Sequence, residues 1–296
     1  MKEATPKCSP PFNRVWRART LIKARLARRI ERILLMLVSL AAAASRVGAQ
    51  SSTFAGNPQH TAVYPVRAQH MNRVLWSNSV DVTHSATSSH YGAPLITASN
   101  TVIVPTVASR SNYSIMAYEG GTGRLKYTVT NDYRLLGNFS PRPVYQPVLV
   151  ALPSGLRLYY PGAGGTVYYV ENPDSDTPSP PIQICFYTNL TGYASNAAAF
   201  NSSLFISTPL TASTSGAIYF SYFGKIPSIN TNGGGFVRID TDGNGSYVNT
   251  GASPMNCAPA LSDDGSTVYF VREGSVLGLD SQTLATKYVG SLITIR

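Results

Sequence analysis

From Gln50 onward, apolar positions come in short runs of β-branched and aromatic residues, broken by Gly, Pro, Asn and Asp. Alternation with a period of two marks a strand with one covered face, and unbroken apolar runs mark a strand covered on both. No stretch longer than about ten residues holds the period that an amphipathic helix needs. The chain beyond Gln50 therefore reads as all-β.

The runs restart. A first unit reads APLITA, TVIVPTV, YSIMAYE and LKYTVT, and a second reads PVLVAL, LRLYYPG, TVYYVE and IQICFY. A third reads SLFISTPLTA, GAIYFSYF, GFVRID and SYVNT, and a fourth reads APALS, TVYFVR, SVLGLD and a tail, ATKYVGSLITI. Each unit has an entry strand, a strong second strand, a third and a weaker fourth. The strong strands carry Val102, Leu158, Ile218 and Val268, spaced 56, 60 and 50 residues apart. Four strands per period of this length is the pattern of a β-propeller built from four-stranded antiparallel blades. A β-sandwich or β-solenoid also has many short strands, but a sandwich does not restart the same four-strand order. A lone four-stranded blade cannot bury both of its faces, and stacking blades face to face does.

The formal net charge of +10 changes the picture only at the N-terminus. Residues 1–49 hold eleven basic and two acidic residues, which leaves thirteen and twelve for Gln50–Arg296. The remainder has no basic footprint for nucleic acid. A basic stretch precedes the twelve-residue apolar run Ile33–Ala44, and small residues follow at Val47-Gly-Ala49. A spanning helix needs roughly 20 apolar residues, whereas a signal core needs about 7–15. Residues 1–49 are therefore expected to be a signal or targeting segment cleaved after Ala49. Residues 50–296 form the propeller domain, placed in the periplasm or outside the cell. The alternative is an uncleaved anchor or surface helix, the only route to a membrane. Arg28-Arg29 lacks the apolar pair that a twin-arginine signal needs.

Thr122-Gly-Arg-Leu-Lys-Tyr127, following Met116-Ala-Tyr-Glu119, resembles the A-x-D-x-x-T-G-K-x-x-W blade signature of PQQ-like propeller repeats, the quinoprotein alcohol dehydrogenase-like family. Phe54–His60 and Val74-Leu-Trp-Ser77 resemble the opening of such proteins, where a Trp-bearing strand precedes the first full blade. Ala258–Tyr269 followed by Val276–Leu284 is similar to the blade consensus. Glu119 and Tyr127 replace the family's Asp and Trp, and the fourth unit lacks Gly after its Thr. The family commonly has seven or eight blades, and four are visible here. The chain is either a small closed propeller or part of a larger ring, and an open arc would close by self-association.

The resemblance implies a quinone-dependent dehydrogenase with bound PQQ and Ca²⁺ as one function. The chain shows no adjacent-cysteine pair and no C-x-x-C-H, and its few carboxylates sit mostly in turns. No cofactor is expected on the residues alone. Asp240-Thr-Asp-Gly-Asn-Gly245 matches the opening of a Ca²⁺ loop, with Asp240, Asp242 and Asn244 as candidate ligands. Its twelfth position is Gly251, and the flanks are strands, so a hairpin turn is the simpler reading. Cys185 and Cys257 are a candidate disulfide in an oxidising compartment, or two free thiols; Cys8 lies in the targeting segment. His60, His70, His84 and His90 read as loop histidines. Asn112, Asn138, Asn189, Asn201 and Asn244 lie in N-x-S/T sequons. There is no G-x-S-x-G elbow, and no catalytic residue is assigned.

The expected function is an exported, non-catalytic binding or scaffold propeller with a protein or carbohydrate ligand. The alternatives are a PQQ-dependent dehydrogenase-like protein or fragment, and an assembly scaffold at an outer membrane. The abundant tyrosines, Tyr159-Tyr160 and Tyr168-Tyr169 among them, serve a binding surface or pack between blades.

Overall fold

A computed structural model describes residues 49–64, 72–79, 92–109, 112–137, 144–226, 233–251 and 254–292, all within one compact unit. The targeting segment, Cys8, His70, His84, His90 and Asn138 lie outside the described residues.

The repeating alternation folds into four antiparallel sheets, each a simple up-and-down meander of neighbours in sequence. Blade 1 is β2 (Leu95–Thr97), β3 (Thr101–Ser109), β4 (Asn112–Glu119) and β5 (Leu125–Asn131). Blade 2 is β6 (Val148–Leu152), β7 (Gly155–Pro161), β8 (Val167–Glu171) and β9 (Ile182–Ile184). Blade 3 is β10 (Leu204–Ile206), β11 (Thr211–Ala212), β12 (Ile218–Gly224), β13 (Gly234–Ile239) and β14 (Gly245–Asn249). Blade 4 is β15 (Ala260–Leu261), β16 (Thr267–Arg272), β17 (Ser275–Asp280) and β18 (Thr286–Ser291). Every strand expected from the four units is present. The long third-unit entry strand is split into β10 and β11, which both pair with β12 on either side of a non-strand stretch containing Pro209. Two short helices, α1 (Leu190–Ser195) and α2 (Ala197–Asn201), join blades 2 and 3; at six and five residues they are too short to show a helical period.

Entry strands are buried and fourth strands exposed, so the entry strands form the inner side of the arc; β15 is largely covered while β18 is exposed throughout. One apolar cluster spans blades 1, 2 and 3, and a second joins blades 3 and 4. At the latter junction Phe236 and Phe270 stack at 4.0 Å, and the Tyr219 hydroxyl donates to the Ser281 carbonyl at 2.8 Å. Among the described residues no core contact joins blade 4 to blade 1.

The turn chemistry of the blade signature is visible. The β4–β5 turn closes with Glu119 N–H to Arg124 O at 2.9 Å and Gly123 N–H to Glu119 O at 2.8 Å. Gly123 has φ +74, and an added Cβ would sit 2.6 Å from the Trp76 ring. Trp76 lies outside any strand: it packs on Tyr118 at 6.0 Å and donates Nε1–H to Gly120 O at 2.8 Å. The Trp-bearing strand expected before the first blade is thus a cap on that blade's turn. The fourth unit makes the same turn, with Asp280 N–H to Ala285 O and Leu284 N–H to Asp280 O, and puts Leu284 where Gly123 stands, at φ 59. A left-handed Leu costs roughly 1–2 kcal/mol; its complete burial between blades 3 and 4 offsets that by about 1.5–3 kcal/mol.

The residues after Ala49 form an inner strap. Strand β1 (Ala49–Ser51) pairs with β2 of blade 1. Ser52 O then accepts from Leu149 N–H of blade 2 at 2.7 Å, and Thr53 Oγ1–H donates to Leu210 O beside β11 at 3.0 Å. Pro58 O accepts from Leu261 N–H of blade 4 at 2.9 Å. One short segment therefore touches the inner side of all four blades.

Candidate functional site

The outer part of the blade 2–blade 3 junction carries an open groove of about 630 Å³. One wall is residues 182–190, which are β9 and the loop that leads into α1. The other wall is the β13–β14 turn, and Arg157 and Tyr169 form the floor. Among the described residues strand β9 pairs only with β8, which leaves its second edge without a sheet partner there. The close approach of the turn is set by glycine: a Cβ on Gly245 would lie 2.4 Å from the Phe186 Cα.

The floor is rigid. Arg157 stacks on the Tyr169 ring at 4.1 Å and donates to Glu171 Oε1 at 2.6 and 2.9 Å and to the Tyr159 hydroxyl at 2.7 Å. Burial works against the guanidinium charge, but the Glu171 and Tyr159 bonds outweigh it and raise the Arg157 pKa. The Tyr187 hydroxyl donates to Gly164 O at 2.7 Å, and burial raises its pKa far above the ordinary phenol. Ile182 and Leu190, at the two ends of the wall, are each 44% exposed. A cavity of about 330 Å³ between blades 1 and 2 is lined by Asp132, Tyr160 and Tyr168. There the Asp132 carboxylate accepts from the Tyr168 hydroxyl and from Ala163 N–H, both at 3.0 Å.

Asp240, Asp242 and Asn244 form the β13–β14 turn at the groove's rim. Asp240 Oδ1 accepts from the backbone N–H of Asp242 at 3.0 Å and of Asn244 at 2.8 Å, and Oδ2 accepts from Asn244 Nδ2 at 3.2 Å. The carboxylate that would lead a Ca²⁺ loop is turned inward to close the hairpin. Cys185 and Cys257 are both free thiols, one buried and one exposed, and are not bonded to each other. Burial raises the Cys185 thiol pKa, the reverse of what a reactive cysteine needs. His60 is half-buried, with its Nε2 3.2 Å from Thr211 Oγ1, and burial lowers its pKa. Tyr159 and Tyr160 are buried in the core, while Tyr168 and Tyr169 are only partly covered and line the two concavities. The groove itself escapes a reading of the sequence, because its two walls lie more than fifty residues apart; the alternating Ile182-Gln-Ile184 is the one local sign of its strand.

No three of His, Cys, Asp and Glu converge on a common point among the described residues. The carboxylates tie turns and blades together: Glu171 to Arg157, Asp176 to Arg124 at 2.9 Å, and Asp174 to Thr97 at 2.5 Å. The carboxylate donor set that Ca²⁺ needs is not assembled among the described residues.

No family model matches the chain, and no curated protein matches it by sequence. Solved structures do. A europium-containing methanol dehydrogenase aligns with a TM-score of 0.53 at 9% identity, over 82% of this chain and 49% of that one. A quinohemoprotein alcohol dehydrogenase from Comamonas testosteroni aligns at 0.42 and 12% identity, over 86% and 50%. The Dos1 propeller aligns at 0.34 and 10%, over 66% and 56%. The chain spans about half the length of the two dehydrogenases it matches. At these identities the likeness is one of fold, a β-propeller.

Proposed function

We propose that this chain is an exported, non-catalytic propeller that binds an extended segment of a protein partner in the groove between blades 2 and 3. The observation that carries the reading is the edge of β9, unpaired among the described residues, in one wall of a groove of about 630 Å³. An unpaired edge offers backbone donors and acceptors to an added strand, and pockets beside it select side chains. The exposed Ile182 and Leu190 and the planar Tyr169–Arg157 floor suit such a contact better than they suit chemistry. The thiol on the groove wall, Cys185, has its pKa raised by burial, which works against a nucleophilic role. Export rests on the basic stretch and the short apolar core in residues 1–49.

A second reading, a dehydrogenase-like protein or part of one, is favoured by the fold likeness to the europium-containing methanol dehydrogenase. Thermal unfolding of the purified chain with and without Ca²⁺ plus pyrroloquinoline quinone separates the two. A ligand at a hundred times its Kd adds about 2.7 kcal/mol and raises the midpoint visibly. The binding reading expects no shift. It also expects a photo-crosslinker at Ile182 to capture one partner in the native host, and Tyr169→Ala to abolish that capture. A clear upward shift with the quinone would replace it by the dehydrogenase reading.

A further inference from the structure

The two middle blades and the two end blades differ in what covers their faces. Strands β12 and β13 are buried along nearly their whole length, on both sides. In blade 1 one face is fully covered by blade 2, through Leu95, Ile103, Ile115 and Ala117. Its other face carries Ile96, Val102, Val104 and Met116, all partly exposed, with Val74 (82%) and Leu75 (66%) exposed beside Trp76 at its edge. Blade 4 mirrors this. Val268, Phe270, Leu277 and Leu279 are buried against blade 3. Tyr269, Val271, Val276 and Tyr288 share the opposite face, partly or largely exposed. There Tyr269 and Tyr288 stack at 6.4 Å across Gly278, whose added Cβ would strike the Tyr288 ring at 2.2 Å.

We propose that these two end faces are one interface, and that its occupant is a second copy of this chain. Blade 4 of one copy packs on blade 1 of the other, and the reciprocal contact closes the ring. Three observations favour a copy over an unrelated partner. The exposed faces are at opposite ends of one arc and are built like the covered faces of the same blades, so the 3–4 junction shows how such faces pack. The aligned 82% of the chain takes up 49% of the methanol dehydrogenase propeller chain, so two arcs have the span of one such chain. Thirteen basic and twelve acidic residues beyond residue 49 leave almost no charge to hold copies apart. A head-to-tail contact that closes after two copies yields two identical junctions, so one substitution strikes both.

The test is the mass of the purified full chain by light scattering, with Tyr288→Asp, Leu75→Asp and Ile182→Asp beside it. All three positions are exposed, and circular dichroism confirms that each variant folds. The expected result is a particle of two chains that Tyr288→Asp and Leu75→Asp each reduce to one, and that Ile182→Asp leaves at two. A parent chain of single-chain mass overturns the proposal. So does an association that survives both end-face variants, which would place it elsewhere, the N-terminal apolar run included.

Discussion

Blades 2 and 3 and blades 1 and 4 are built from the same four-strand meander, yet among the described residues only the middle pair has a blade packed on both faces. The difference is already in the strands. The third blade's IYFSYFG is apolar or small at every position and buried along most of its length. The first blade's NYSIMAYE alternates between buried and partly exposed over most of its length. A blade with two neighbours has no solvent side, so period two disappears; a blade with one neighbour keeps it. Face coverage, rather than strand pairing, therefore divides the four blades into a middle pair and an end pair.

The comparison breaks most directly at Phe270 and Tyr288, which lie on opposite faces of the same blade. Phe270 is fully buried against Phe236, so Phe270→Ala should cost about 3–5 kcal/mol. Tyr288 is 54% exposed, and Tyr288→Ala should cost no more than about 0.5 kcal/mol within the single arc. Urea unfolding of both variants at low protein concentration measures the gap. A Tyr288 loss that grows with protein concentration would report the second copy. Equal losses at low concentration would show that the two faces of blade 4 are covered alike.

The strap is the next test, because it serves middle and end blades together. Thr53 is buried, and its hydroxyl reaches the Leu210 carbonyl at 3.0 Å. Thr53→Val keeps the shape and strands that carbonyl, for an expected loss of about 1–3 kcal/mol in the same unfolding measurement. A neutral result would mean that the blades hold their arc without the segment that crosses them.

The strands were legible because each carries its own signal: β-branched runs, bounded by Gly, Asn and Asp, that restart four times. The turns were legible too, down to the Glu119–Arg124 hairpin. The strap was not. Residues 52–60 have no period, and their backbone partners in three blades, from Leu149 to Ser262, lie about 100 to 200 residues further along the chain, so nothing local encodes the path. Leu284 shows the same limit in miniature. Its missing glycine read as a departure from the blade pattern, and the structure keeps the turn because burial between blades outweighs the strained φ. The groove combines both cases: Asp240–Asn244 was recognisable as a turn, and only the packing of blade 2 on blade 3 brings β9 opposite it.

The smallest effect separates the blades by acid. In the β15–β16 turn, Asp264 Oδ1 accepts from the Ser262 hydroxyl at 2.5 Å and from Ser266 N–H at 3.0 Å. The Ser262 bond, followed by the Ser266 N–H, holds the carboxyl at about 2, below its ordinary 3.8. A carboxylate depressed in the folded state contributes stability that is complete above the unfolded value and is lost as pH falls through the folded one. Between about pH 4 and pH 2, blade 4 should therefore loosen at Gly265–Thr267. The matching β6–β7 turn of blade 2, Pro153-Ser154, has no carboxylate to titrate. Amide hydrogen exchange across that range should show protection falling in the blade 4 turn while the blade 2 turn holds, and Asp264→Asn should make the blade 4 turn insensitive to pH. Parallel loss in both turns would trace the acid response to the whole arc instead of its exposed end.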